Sequence, residues 1–344
     1  SDLSTISIME DLARLLEKQG EYDEVELIYQ RTLHLADKAY GKDDPRTMAS
    51  MEHLARVFAS QCKYDDAKPL YLQILRLKEE DFGKGDPNTV TTINSLASVL
   101  QRQGEHGEAE LLYQQALHVR EKALGKEHPD TVSSMIDLAE ALASQDKYDE
   151  AETTYRQAIH LMEKVLGKEN PKIAAAMGSL AEMLESQRKY DEAELFYRQR
   201  LLLTEKMYGE ENSTVLITMD KLAGMLESQD KYDEAEPIYR QALQLKEKVF
   251  GKEHPHTVTA MDMLAGVLAS QDKDDEAEPM FRQALQLSEK ALGIEHPGTI
   301  SKIDRLAGVL KSQGKYNEAE PMFRQALQLS EKALGIEHPG TISK

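Results

Sequence analysis

Residue types that could carry out chemistry are few in this sequence, and their spacing matches no common catalytic or metal-binding arrangement. Cys62 is the single cysteine, and no histidine and aspartate are grouped with it as a cysteine nucleophile requires. A zinc site needs several ligands within a few residues of one another. The recurring histidines instead stand one to a repeat of 42 residues, at His128, His254, His296 and His338. We therefore predict no catalytic residues and no metal site.

The pairs Gly125-Lys126 and Gly251-Lys252 contain the Gly-Lys step that is found in phosphate-binding loops. Such a loop has the pattern Gly-x-x-x-x-Gly-Lys-Ser/Thr, and neither pair has the preceding glycine. Asn212-Ser213-Thr214 fits the glycosylation acceptor pattern, which a chain in the cytoplasm would not use. The sequence therefore predicts no cofactor and no enzymatic activity.

Charge and composition narrow the class of partner. The formal net charge is -19, from 61 acidic against 42 basic residues, so the average surface repels nucleic acids and anionic membranes. No apolar run approaches the roughly 18 residues that a membrane span needs. A single cysteine excludes an internal disulfide framework and favours a reducing compartment, so we predict a cytoplasmic location.

The whole chain follows a period of 42 residues. Pro recurs at this step, with Ser213 at the one exception, and two further series have no exception. These series are Gly41, Gly83, Gly125, Gly167, Gly209, Gly251, Gly293 and Gly335, and Gln19, Gln61, Gln103, Gln145, Gln187, Gln229, Gln271 and Gln313. A period of this size indicates a repeat architecture. We predict one array over residues 1–344, with units 4–45, 46–87, 88–129, 130–171, 172–213, 214–255, 256–297 and 298–339 and a stub at 340–344.

Each unit reads as two helices. The first carries a Leu-Ala pair, such as Leu96-Ala97, with apolar residues three and four positions away. The second begins with an acidic turn that complements the helix dipole, and glycine and then proline separate it from the next unit. We expect Asp44 and Asp86 to cap the helices that begin at the prolines after them. The sequence predicts an all-α fold of about eight antiparallel helix pairs that stack into a solenoid.

The spacing of Leu96, Ala97, Ala109, Tyr113 and Ala116 matches the tetratricopeptide signature, and it recurs over essentially the whole chain. With the 42-residue step and Gly-Lys-Glu-His-Pro linkers, the sequence resembles the repeats of kinesin light chains and of fungal NOD-like receptors. The resemblance implies a right-handed superhelix whose first helices line a concave groove. In kinesin light chains, paired asparagines before Leu-Ala and basic side chains grip acidic peptides in this groove. Asn94 is the one asparagine at that position here. In the fungal receptors, near-identical repeats act as the sensing surface.

The predicted groove positions vary between units, while the positions that make the fold hardly change. Acidic residues outnumber basic ones among them, so we predict a partner segment that carries Lys or Arg. An alternative is that these exposed positions drift without a function. The candidate peptide-binding residues are Glu52, Arg56, Asn94, Ser98, Asp137, Glu140, Glu182, Asp220, Asp262 and Asp304.

These patterns favour a protein- or peptide-binding module, the sensing or adaptor region of a larger protein. Two alternatives stay open: the regulatory region of an enzyme whose catalytic domain lies elsewhere, and a structural or designed scaffold. Glu276 to Lys302 recurs unchanged as Glu318 to Lys344, which indicates a duplicated or engineered copy. Because the sequence shows no polar capping helix, we also predict end-to-end self-association through the terminal repeats.

Overall fold

The computed structural model describes residues 2–334, with the side chains of residues 5–333, and shows sixteen α-helices and no strand in this part of the chain. The helices are α1 Asp2–Gln19, α2 Tyr22–Tyr40, α3 Pro45–Ser60, α4 Tyr64–Phe82, α5 Pro87–Arg102, α6 His106–Leu124, α7 Pro129–Ala143, α8 Tyr148–Leu166, α9 Pro171–Ser186, α10 Tyr190–Tyr208, α11 Ser213–Glu227, α12 Tyr232–Phe250, α13 Pro255–Ser270, α14 Asp274–Leu292, α15 Pro297–Ser312 and α16 Tyr316–Leu334. They form about eight pairs, which confirms the predicted solenoid of helix pairs. The last residues of the final predicted unit, its His338 and the stub at 340–344 lie outside the described residues.

The chain divides into two compact regions, Ser1–Ser179 and Leu180–Lys344, which we call the N-terminal and C-terminal regions. Helices α1 to α8 lie in the first region, helices α10 to α16 lie in the second, and α9 contains the dividing point. That residues 1–344 form one array remains a prediction from the 42-residue period. None of the described helices combines the length and the apolar character that crossing a bilayer requires.

Two of the first helices, α3 and α5, begin at a proline and are capped by the aspartate before it, as predicted. Asp44 accepts a hydrogen bond from the backbone N–H of Arg46 at 2.9 Å, and Asp86 accepts one from Asn88 at 2.8 Å. The recurring histidines take the same position. The Nδ1 atoms of His128, His254 and His296 accept the backbone N–H two residues later, at 3.2, 3.3 and 3.1 Å. The histidines are therefore helix caps, because an unpaired N–H in the first turn needs an acceptor.

A left-handed residue ends the first helix of each pair. Gly104 has this conformation in α5–α6, whereas Cys62 takes it with a φ of 59° between α3 and α4. Three aspartates and an arginine occupy the equivalent position in other pairs, Asp146, Arg188, Asp230 and Asp272. The lone cysteine thus marks a tight turn between two helices of one pair.

The core of each pair is built from small and aromatic residues that alternate. Ala109 is fully buried on α6, and Tyr113 follows it one turn later at 6% exposure. Tyr155, Tyr197 and Tyr239 are at most 1% exposed at the equivalent positions. Alanine lets two helices approach closely, and the ring fills the space beside it, where an aromatic side chain buries about 150–250 Å².

Salt bridges join the second helix of one repeat to the residue just before the second helix of the next repeat. In one of these salt bridges, the acid and the base have exchanged positions. In the N-terminal region, Lys63 pairs with Glu26 at 2.6 Å and Lys147 pairs with Glu110 at 2.5 Å. The repeat between these two has exchanged charges, with Lys68 on α4 paired with Glu105 before α6 at 2.6 Å. Both positions changed sign together, which shows that the contact is kept as a pair. These charges therefore contribute to the stacking of neighbouring repeats.

Candidate binding face on the first helices

All ten predicted binding residues lie on first helices of the pairs. Glu52 and Arg56 are on α3, Asn94 and Ser98 on α5, Asp137 and Glu140 on α7, Glu182 on α9, Asp220 on α11, Asp262 on α13 and Asp304 on α15. We call this set the first-helix face. Arg56, Glu140 and Glu182 are exposed, Asp262 is buried, and the others are half-buried. The structure brings four of them, on α5 and α7, to one cavity and gives several others a cationic partner from the chain itself.

Within the N-terminal region, the charges on α3 are neutralised internally. Glu52 lies 3.6 Å from the Nζ of Lys78 on α4, and the same ammonium group donates to Thr92 Oγ1 at 2.9 Å. Arg56 donates to Glu17 on α1 at 3.2 Å. These side chains are therefore occupied with contacts inside the protein.

The C-terminal region shows the same use of acidic side chains. Lys246 on α12 is 4% exposed, and its Nζ lies 2.7 and 2.5 Å from the two carboxylate oxygens of Asp220. Asp262 accepts from Arg305 Nη1 at 2.6 Å, and Glu182 lies 3.3 Å from Lys221. Burying a charge without a partner is costly, so the pairs of Asp220 and Asp262 serve stability first, whereas the exposed pair of Glu182 and Lys221 contributes about 0–1 kcal/mol.

For two of these partners the repeats of the sequence contained a signal. Glu52 and Lys78 occupy the same repeat positions as Asp220 and Lys246, whereas the acids Glu10, Asp262 and Asp304 have no base at the second position. In the fourth repeat the two positions hold an apolar pair, Ile136 and Met162. The predicted binding residues all lie on first helices, so the prediction left out the lysines of the second helices that pair with them.

A polar cavity of about 360 Å³ lies in the N-terminal region between α5 and α7. Asn94 Nδ2 donates to Asp137 Oδ2 at 3.0 Å, while Asn94 Oδ1 is buried and has no hydrogen-bond donor. Ser179 Oγ donates to Glu140 at 3.3 Å. The cavity is lined by Ala59, Tyr71, Asn94, Ser95, Ser98, Val99, Arg102, Tyr113, Asp137 and Glu140.

The two carboxylates of α7 have unusual acidity. Burial raises the pKa of Asp137 to about 6, and repulsion from Glu140 adds to the effect, while Arg120 and Lys172 partly oppose it. Loss of water also raises the pKa of Glu140, against a hydrogen bond from Ser179. Neither carboxylate forms a salt bridge within the described residues. Perturbed carboxylates in a cavity mark a candidate functional site.

The raised pKa predicts how Asp137 affects stability. Its charged form is unfavourable in the folded state, so this penalty is present above pH 6 and disappears as the pH falls towards 4. We expect Asp137→Asn to raise the free energy of unfolding by about 1–2 kcal/mol at pH 7.5, since the half-buried group is partly screened by water. The gain should vanish near pH 4 in urea unfolding followed by circular dichroism. A gain that is the same at both pH values would contradict the assignment, and Glu108→Gln on the exposed first turn of α6 is the control.

Comparison with known protein families gives a match along the chain. The Tetratricopeptide repeat model matches residues 4–80, 88–164, 136–206, 214–290 and 264–331. Among curated proteins, no relative matches the sequence.

Solved structures share the fold at low identity. The kinesin light chain-like, nearly identical TPR-like repeats of Podosopora anserina are 23% identical, with a TM-score of 0.53, and the match covers 60% of this chain and 97% of that one. BtubC from P. vanneervenii is 22% identical with a TM-score of 0.55, covering 73% and 94%. A signal transduction ATPase with numerous domains from Pyrococcus horikoshii, with a tetratricopeptide repeat sensor, is 14% identical with a TM-score of 0.66, covering 97% of this chain and 48% of that chain.

Proposed function

Because the chain belongs to the tetratricopeptide repeat family, we propose that it is a protein- or peptide-binding module whose first-helix face engages a partner segment carrying Lys or Arg. One observation carries the proposal. Asp137 and Glu140 share a cavity, and within the described residues no cation of the chain pairs with them. A cationic side chain of a partner would supply a counterion for these two carboxylates.

The arrangement of variable and uniform residues supports the same function. Ala109 and Tyr113 recur in most repeats and build the core, whereas Asn94, Ser98 and Glu140 differ between repeats and line an open surface. Residues that vary on a rigid framework are the usual means of selecting a partner. The net charge of -19 would also attract a basic segment from a distance, an effect that salt weakens.

In the whole protein we propose a sensing or adaptor role in the cytoplasm. The fold similarity to the repeat sensor of the Pyrococcus horikoshii ATPase supports this role. A structural scaffold is the second candidate, and the internal pairing of Glu52, Asp220 and Asp262 favours it, because those carboxylates already have partners.

A peptide array tests the module against the scaffold. We expect the 344-residue chain to retain basic peptides and not acidic or neutral ones, with retention falling as NaCl rises from 50 mM to 500 mM. Retention should fall for Asp137→Asn/Glu140→Gln and persist for Glu108→Gln/Asp149→Asn, which removes the same charge from exposed first turns. Absence of any retained peptide, or equal retention of all charge classes, would refute the proposal and leave the scaffold. Asp220 and Asp262 are unsuitable for this test, because replacing either one leaves a buried or half-buried cation without its counterion and destabilises the fold.

A further inference from the structure

We propose that the cavity between α5 and α7 binds the guanidinium group of an arginine side chain of the partner, an inference that rests on the proposed function. The acceptors on its wall are the carboxylates of Asp137 and Glu140 on α7, and Asn94 on α5 donates a hydrogen bond to Asp137. A second site in the same chain shows how this fold holds a guanidinium group.

The C-terminal region contains an internal guanidinium at the equivalent place. Arg305 donates to Asp262 at 2.6 Å, and its guanidinium lies over the ring of Phe281 with its carbon 5.1 Å from the ring centroid. A side chain at Gly266 would collide with this group, since an added Cβ would lie 1.9 Å from Arg305 Nη2. The pocket is thus made by a carboxylate, an aromatic ring and a small residue.

Moving four repeats towards the N-terminus places the corresponding residues around the cavity. Asn94 corresponds to Asp262, Tyr113 to Phe281 and Ser98 to Gly266. Asp137 corresponds to Arg305, so an acid replaces the internal base. The aromatic wall remains, Ser98 brings a small side chain where Gly266 has none, and an acid replaces the base. Arg120 and Lys172 partly stabilise the charge of Asp137 but form no salt bridge with it, so the site can still take a cation from outside the chain.

The number of carboxylate oxygens favours a guanidinium over an ammonium group. The carboxylates of Asp137 and Glu140 can each accept several hydrogen bonds, and Asp137 already accepts one from Asn94. A guanidinium has five N–H donors in a plane and no acceptor, and it loses less hydration than an ammonium group when it is buried. Tyr71 and Tyr113 on the wall add ring surfaces against which such a plane can stack.

One cation of the chain, Arg102, also lines the cavity, and its side chain is exposed. Its charge acts to lower the pKa of Tyr64 and Tyr113. The charges that act on Asp137 come instead from Glu140, Arg120 and Lys172. Arg102 therefore leaves the two α7 carboxylates available.

Three blocked pentapeptides test the inference, Gly-Ser-Arg-Ser-Gly and its counterparts with lysine or citrulline, the neutral analogue of arginine. Binding to the 344-residue chain would be measured by NMR titration at pH 7.5. We expect the arginine peptide to bind about tenfold more tightly than the citrulline peptide and about threefold more tightly than the lysine peptide. Asp137→Asn/Glu140→Gln should reduce the arginine peptide to the citrulline level.

A second variant fills the cavity from within. Asn94→Asp/Ser98→Gly/Asp137→Arg copies Asp262, Gly266 and Arg305, so we expect a folded chain that no longer prefers the arginine peptide. Glu108→Gln/Asp149→Asn should keep the wild-type preference. Equal binding of the arginine and citrulline peptides, or an unchanged preference in both cavity variants, would overturn the inference. If arrayed basic peptides still bound in that case, the proposed function would stand without the arginine site.

Discussion

Replacing Asp220 with isoleucine should lower the free energy of unfolding of the C-terminal region by about 3–5 kcal/mol, because it leaves a buried ammonium group without a counterion. Lys246 is 4% exposed, and both of its contacts to Asp220 are at most 2.7 Å. Urea unfolding together with amide hydrogen exchange of α11 and α12 would measure the loss.

The chain itself supplies the control for this prediction. Ile136 and Met162 occupy the equivalent positions in the fourth repeat, where Met162 is 1% exposed. Asp220→Ile/Lys246→Met recreates that apolar pair, and we expect it to return to within about 1 kcal/mol of the wild type, because an apolar pair can replace a buried ion pair. A double variant as unstable as Asp220→Ile alone would show that Asp220 acts through something other than Lys246.

Replacing Arg305 with methionine should cost about 3 kcal/mol at pH 7.5, because the carboxylate that it neutralises lies inside the protein. Asp262 is 9% exposed, and one of its oxygens already lacks a donor. Without the arginine, this carboxylate would lie inside the protein with no counterion.

Arg324→Met provides the matched comparison for this variant. Arg324 pairs with Glu320 on the surface of α16, where the two side chains are 78% and 66% exposed. An exposed pair of this kind contributes about 0–1 kcal/mol. Thermal unfolding at pH 7.5 should therefore separate the two variants, and equal losses would contradict a buried role for Asp262.

These contacts change what the acidic composition means. The excess of acid suggested a groove of one sign, but Asp220 and Asp262 serve buried or half-buried cations of the chain. The proposed site narrows to Asp137 and Glu140, a half-buried and an exposed carboxylate that have hydrogen bonds but no salt bridge within the described residues. The count of acidic residues on one face is therefore a weaker guide to a ligand than the partners of each residue.

The architecture could be predicted from the sequence, because it depends on local chemistry repeated at a constant step. Proline and an acceptor before it set where α3 and α5 begin, and Ala109 and Tyr113 set how closely two helices approach. Even Ser213 preserves the rule, since Asn212 caps α11 with the same backbone contact, Asn212 Oδ1 accepting from Thr214 at 2.9 Å. Such signals act over a few residues, so they can be read along the chain.

Tertiary structure alone decided which side chains of the first-helix face remain available. Lys246 reaches Asp220 across 26 residues, and Arg305 reaches Asp262 across 43, so the charge of one helix depends on another. The acidity of Asp137 likewise comes from burial by neighbouring helices rather than from its own segment. The sequence determined the helix pairs and where α3 and α5 begin, whereas electrostatic pairing and loss of water depend on distances that exist only after the helices have packed.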